Sequence, residues 1–405
     1  MTPGMMSAYH LALAYVGAYL YGNPSHYMLV IAVTGTKGKS STTELVNAIF
    51  EKAGAKTALL NSIRIKIADK SEPNTMRMSM PGRFYIQKFL AKAKRKGCGV
   101  AILEMTSEGA RQHRQRAVEM DALIFTNLSP EHIESHGSYQ QYADAKFMIG
   151  QQLARSPKHP RTIVANIEDP ESRRYITLPV ERVIPFSLKD VEHAADERGG
   201  YFMFNGERID IHLPGDFSLR NALAAATLCS SLGISTEDIK AALGAVQQIA
   251  GRGQRIEEGQ DFAVVVDYAH TPDSLQALYD AYKTKKRICV LGSTGGGRDM
   301  WKRPAMGKIA DDNCDHIILT NEDPYDEDPR SIIDSLARGM QKQQPEIILD
   351  RREAIAKALA IAKPDDAVLI TGKGTDPTIQ IAGGKSIPWS DAQVVREELK
   401  KLRQV

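Results

Sequence analysis

The sequence predicts an α/β protein: a parallel-sheet central domain built around a phosphate loop (P-loop), followed by a Rossmann-like C-terminal α/β domain. Three observations carry this. Residues 33–43 read VTGTKGKSSTT, a glycine- and lysine-rich loop between an apolar run and a helix-like segment. Apolar, β-branched runs recur with helix-like stretches between them, the alternation of a parallel sheet with helices on its faces. After Gly251 and Gly253 the alternation starts again.

The elements follow in order. The apolar stretch Leu11 to Tyr21 reads as an amphipathic helix ended by Gly22, Asn23 and Pro24. It lacks a basic start and a small-residue cleavage site and is too short for a bilayer, so no membrane insertion is expected. Met28 to Val33, Val100 to Leu103, Ala122 to Phe125 and Thr162 to Val164 read as strands. Tyr201 to Leu213 alternates apolar with polar around a turn at Asn205 and Gly206, a hairpin pattern. LPGDFSLRNALAAATLCSSLG is dense in Ala and Leu, reading as a buried helix capped by Gly233. Phe262 to Val266, Arg287 to Leu291, His316 to Leu319, Glu346 to Leu349 and Ala367 to Ile370 are strand-like. A boundary near residue 250 then divides the chain into a helical piece, 1–26, a central domain, 27–250, and a C-terminal domain, 251–405.

Lys plus Arg number 52 against 49 Asp plus Glu, and a net charge of +3 gives no reason to expect nucleic acid or a membrane surface as partner. Cys98, Cys229, Cys289 and Cys314 are widely separated and fit no zinc spacing. Three of them lie in apolar runs and read as small buried thiols, which implies a reducing cytoplasm.

The loop carries the first chemistry. Gly35 and Gly38 let successive backbone N–H groups turn inward, and the helix after Ser41 points its positive end at an anion. With Thr36 and Lys37 between the glycines, Lys39 adds a cation and Ser40 a hydroxyl for Mg²⁺, so ATP is the expected ligand. Val33 stands where the usual G-x-x-x-x-G-K-[ST] pattern has its first glycine. Glu104 follows the run VAIL and so ends a predicted strand, where open α/β sheets place ligands. Taken alone it is equally a solvated strand-end acid. After it, MTSEGARQHRQR offers Ser107, Gln112, His113, Arg114 and Arg116 to an anionic or sugar-containing substrate, or forms a solvated helix start. By spacing alone His132 and His136 fit a metal site or the surface equally well. Lys146, fourteen residues after His132, would ordinarily be a snorkelling lysine.

Taken together, GTKGKSS, LEMTSEGARQHR, TNLSPEHIESHG, YADAK, LPGDFSLRNALAA, GRGQR, VVDYAHTPDSL, GSTGGGRDMWKRPAMG, TNEDPYDEDP and TGKGTDPTIQI resemble the Mur ligase family, and within it the MurE type. The resemblance implies an ATP-dependent ligase that phosphorylates a cell-wall precursor peptide carboxylate and lets a free amino acid's amine attack the acyl phosphate. It implies that Lys39 holds the β and γ phosphates, Ser40 and Glu104 one Mg²⁺ and His132 a second. Lys146 matches a lysine that becomes carbamylated, turning a cation into a carboxylate-like ligand. Asn221 matches a residue near the nucleotide. Arg252 and Asp267 match groups that the C-terminal domain brings to ATP, with Tyr268 and His270 in the same loop. Ser107, Gln112 and Arg114 match contacts to the sugar-peptide nucleotide, and Thr75, Ser79 and Pro81, in TMRMSMP, belong to the loop at its uridine-linked end. Arg298 matches the anchor of the amino acid's carboxylate, a task that suits its fork. Glu322, Asp323 and Asp376 match positions around that amino acid's distal end. A monomer is the family default.

Departures modify these expectations. The family carries a separate N-terminal domain around UDP where this sequence has a helix and a turn, so a loose hold on UDP is expected. Glu108 replaces a usual histidine, and Glu131 a usual aspartate. The DNPR motif of diaminopimelate-adding members reads EDPY, Glu322 to Tyr325. Acids without that arginine favour lysine over diaminopimelate, with Arg330 the nearest replacement cation in sequence. Alternatives are a folylpolyglutamate, poly-γ-glutamate or cyanophycin ligase, a P-loop ATPase coupled to motion, and a nucleotide-binding partner protein without catalysis.

Overall fold

The computed structural model describes residues 3–403. Among these, an eight-stranded sheet runs in the spatial order Lys70–Pro73, Arg64–Ile67, Thr57–Leu60, Val100–Glu104, Leu29–Thr34, Ala122–Phe125, Thr162–Asn166 and Arg182–Phe186. Pairing is parallel from Thr57–Leu60 onward, and the first two strands add an antiparallel edge. Side chains of the central strand alternate between faces. Ile31 and Val33 pack with Leu45, Ile49 and Leu219, while Val30 and Ala32 join the core of Phe89, Leu90 and Ile149. Burial on both faces explains why these strands read as continuous apolar runs.

The register fixes what meets at the carboxyl edge. Val33 lies opposite Glu104, and Thr34 opposite Phe125, so the phosphate loop, Glu104 and the loop after Phe125 all leave the sheet together. The predicted hairpin pairs Gly200–Phe204 with Glu207–Ile211, and Asn205 (φ +50°) and Gly206 (φ +81°) supply its left-handed turn.

A second sheet has six strands, Gln254–Arg255, Ala263–Val266, Ala367–Ile370, Arg287–Leu291, His316–Leu319 and Glu346–Ile347, parallel apart from the first pair. Here the cysteine expectation needs correction. Cys289 and Cys314 form a disulfide, because Cys289 sits inside one strand while Cys314 turns into the same core just before the next. Cys98 and Cys229 are free and buried, as expected.

The N-terminal helix spans Pro3–Leu20 and packs on Arg83–Arg95. Its amphipathic sorting is weak. Ala14 and Ala18 are buried, but Tyr9, Tyr15, Tyr19 and Leu20 face outward. Among the described residues no helix is long and apolar enough to cross a membrane.

Candidate active site

Leu29–Thr34 ends at Gly35 (φ +145°), and the helix Lys39–Lys52 begins after Gly38 (φ +80°). Both glycines are required by crowding as well as by conformation. A Cβ at Gly35 would lie 2.0 Å from Thr126 Oγ1, and one at Gly38 would lie 2.2 Å from Asn221 Oδ1. Asn127 shapes the loop between them, its carbonyl accepting from Thr36 N–H (2.8 Å) and its Oδ1 from Lys37 N–H (2.9 Å). No side chain caps the helix at Gly38, so its first N–H groups and positive dipole end face the cleft. Lys39 Nζ donates to Thr36 O at 2.8 Å, and burial lowers its pKa against the pull of Glu104 and Glu131.

Ser40 and Glu104 meet beneath this loop. Ser40 Oγ donates to Glu104 Oε2 at 2.8 Å, and the same oxygen accepts from Ser62 N–H at 3.0 Å. Arg252 arrives from the second sheet's side, with Nη2 3.1 Å from Ser62 Oγ and 3.4 Å from Ser40 Oγ. Its guanidinium lies 4.3 Å over the Tyr268 ring. Asp267 braces the Arg252 turn by accepting from Gly253 N–H (2.5 Å) and Ala269 N–H (2.6 Å). Among the described residues no group of three or more His, Cys, Asp or Glu side chains gathers as a metal cage. One carboxylate beside one hydroxyl and a phosphate loop does suit Mg²⁺, which keeps waters and takes substrate phosphates as ligands.

Around this centre lies a cleft of about 550 Å³. Thr36 to Ser41, Glu104, His132, Asn221, Arg252, Asp267, Tyr268 and His270 line it, and Ser79 reaches its edge. Glu131 joins the two halves: its Oε1 accepts from Lys37 Nζ at 3.0 Å and meets His270 Nε2 at 2.8 Å. His132 (φ +57°) is held by Asp299, whose carboxylate accepts the N–H groups of His132 (2.9 Å) and Ile133 (3.1 Å). Lys146 sits behind Gly35, not on the cleft wall; its Nζ donates to Gly35 O at 2.6 Å. Burial first, then Lys39, pushes its pKa well below the usual lysine range. His136 turns the other way and pairs with Glu108 at 3.1 Å.

The predicted acceptor residues are less uniform. Arg114 donates to Met80 O (2.5 Å) and to Gln112 Oε1 (2.7 Å), which fixes the loop bearing Ser79 and Pro81. Ser107 is buried, whereas Thr75 is exposed. Beyond them the C-terminal residues converge. Arg298 lies 5.1 Å from the Tyr325 ring, and Asp323 pairs with Lys373 (2.9 Å), which also reaches Asp376 (3.4 Å). Glu322 accepts from Thr294 Oγ1 at 2.7 Å. Two arrangements bear on the lysine expectation. Asp323 and Asp376 are not free charges, and Arg77 crosses from the first domain to Asp323 Oδ2 (3.4 Å). Arg330 pairs with Asp334 on the surface.

Residues 33–229 match the Mur ligase middle domain, and residues 251–374 match the Mur ligase glutamate ligase domain. The chain belongs to the Mur ligase family. A UDP-N-acetylmuramoyl-L-alanyl-D-glutamate–2,6-diaminopimelate ligase of Geobacillus kaustophilus is 33% identical, the match covering 96% of this chain and 82% of that protein. A UDP-N-acetylmuramyl-tripeptide synthetase of a Roseiflexus species is 35% identical over 97% and 82%. A solved diaminopimelate ligase structure aligns with a TM-score of 0.63 at 26% identity, covering 93% of this chain and 79% of that one. A Mycobacterium tuberculosis folylpolyglutamate synthase complexed with ADP, 17% identical, shares the fold with a TM-score of 0.73 over 89% and 91%. Like other Mur ligases, the chain is an ATP-dependent amide-forming ligase acting in peptidoglycan synthesis.

Sequence reasoning missed several groups of this Mur ligase site. Ser62, Asn127, Asp299, Lys373 and Arg77 act through contacts with distant segments, Asp299 with residues 166 and 167 positions away. Asp299 and Lys373 lie inside GGGRD and TGKGTD, so a closer look at those motifs could have found them. For Arg77 only the basic residue in TMRMSMP was a signal.

Proposed function

We propose that this ligase joins the α-amine of a diamino acid to the peptide carboxylate of a UDP-muramyl cell-wall precursor. The acceptor carboxylate attacks the γ-phosphorus of ATP, an O–P bond forms and ADP leaves. The amine then attacks the acyl carbon, and phosphate leaves with one former carboxylate oxygen while the amine gives up a proton. The observation that carries the reading is the convergence of Lys39, the Ser40–Glu104 pair and Arg252 on one cleft beneath a glycine cradle.

In this reading Lys39 and Arg252 hold the transferred phosphoryl group, where charge accumulates during reaction. Ser40 and Glu104 would hold one Mg²⁺ and His132 a second, and the metal when bound would screen the phosphates and draw electrons from the γ-phosphorus. Lys146 is carbamylated: its neutral amine adds to CO₂, an N–C bond forms and one proton leaves. The product is a carboxylate-like group next to Gly35. Asn221, Asp267, Tyr268 and His270 receive the nucleotide; Ser79, Ser107, Gln112 and Arg114 receive the acceptor. Arg298 holds the amino acid's α-carboxylate. We read the protein as a cytoplasmic monomer, where ATP is available, divided near residues 26 and 250.

The test is coupled ADP release. Release that requires both the UDP-muramyl dipeptide and a diamino acid, with a product heavier by one amino acid residue, supports the reading. ADP release indifferent to both would overturn it.

A further inference from the structure

Arg77 lies in a loop that holds it away from its own domain. Asn74 Nδ2 donates to Asn61 O (2.6 Å) and Met78 O (3.1 Å), while Asn74 Oδ1 accepts from Met76 N–H (3.0 Å). Arg77 itself adopts φ +55°. From there it reaches Asp323 Oδ2, partly exposed, at the edge of the cluster around Tyr325. Burial works against its charge, yet Tyr325, Asp376 and Asp323 together raise its pKa.

We infer that Arg77 determines specificity in the amino-acid site by pairing with a second carboxylate at the distal end of the incoming amino acid. The inference rests on the ligase reading above. Asp323 does not depend on Arg77, because Lys373 Nζ (2.9 Å) and Gln380 N–H (2.7 Å) already serve its other oxygen. The 3.4 Å contact can therefore be exchanged for a ligand carboxylate without leaving a buried acid unpaired.

Charge counting agrees. Glu322, Asp323 and Asp376 supply three carboxylates against one ammonium, that of Lys373, which reaches both Asp323 and Asp376. Glu322 remains, 3% exposed, its Oε2 without a hydrogen-bond partner. A distal end with one ammonium and one carboxylate would match Glu322 and Arg77, respectively. Arg298 near Tyr325 is then left for the α-carboxylate. The cation absent from EDPY is supplied by the other domain.

The experiment compares kcat/KM for meso-diaminopimelate and L-lysine in the wild type, in Arg77→Ala and in Arg77→Ala combined with Tyr325→Arg. The wild type should prefer meso-diaminopimelate. Arg77→Ala should lower the diaminopimelate-to-lysine ratio by about a hundredfold, and Tyr325→Arg in that background should recover at least about a tenth of the wild-type ratio. A ratio unchanged by Arg77→Ala, a wild type that prefers lysine, or a double variant without recovery would overturn the inference. A wild type that forms no ligated product with either amino acid would instead overturn the ligase reading, and this inference with it.

Discussion

Lys146 Nζ and the Gly35 carbonyl are joined by a 2.6 Å hydrogen bond, which ties a buried amine of the helix Tyr139–Ala154 to the first residue of the phosphate loop. The amine lies under the Tyr142 ring, 5.0 Å from its centroid, and burial with Lys39 nearby favours its neutral form. A neutral amine is the form that adds to CO₂. Lys146→Ala should be nearly inactive and should regain turnover with a short added carboxylate. Unchanged activity in the variant, together with an unmodified lysine mass in bicarbonate, would contradict the carbamate.

Lys39→Ala should lower kcat by about 10³-fold while leaving the urea midpoint close to wild type. Among the described residues its side chain bonds locally, to Thr36 O, and on the proposed reading its removal deletes charge at the transferred phosphoryl group. A variant that unfolds, or one that turns over normally, would show that the loop has another role.

Glu108 predicts a pH signature. His136 and Ser135 (2.6 Å) hold its carboxyl at about 2 against the effect of burial. A depressed carboxylate pKa means stability present above the unfolded value, near 4.5, and lost as pH falls toward 2. Glu108→Gln should therefore have a lower urea midpoint than wild type at pH 7, with the gap closing between about pH 4.5 and about pH 2. A gap of constant size over that window would disprove the linkage.

Asp391 and Arg351 form a bidentate pair, 2.8 and 2.7 Å, with side chains 0% and 1% exposed. Arg351 also donates to Thr371 O, and Trp389 Nε1 donates to Asp391 Oδ1. Asp391→Ala strands a buried guanidinium, so it should cost about 3–5 kcal/mol in urea unfolding. A loss below about 1 kcal/mol would mean that water enters and solvates Arg351.

The parts of this fold that were legible in the sequence are local. Gly35, Gly38 and Lys39 announce themselves because a strand, a turn and a helix N-terminus meet within a few residues. The doubly buried strands were equally plain. Thr57–Leu60, reading TALL with one β-branched residue, is the exception, and Arg182–Phe186 is an edge strand with Pro185 and exposed side chains. Arg64–Ile67 and Lys70–Pro73 carry charges on a hairpin edge, which hides their period. The Cys289–Cys314 bond spans 25 residues and depends on two strands pairing in parallel, information that no spacing rule holds. Arg77 was invisible for the same reason: its partner lies 246 residues away, in the other domain.

On the proposed reading, acceptor carboxylate, γ-phosphate and amine meet in the one cleft through an acyl phosphate. The most direct measurement starts from acceptor labelled with ¹⁸O in both oxygens of the reacting carboxylate. One label should appear in the released phosphate and one in the new amide for each product formed. Phosphate carrying no label, with product still accumulating, would contradict the account.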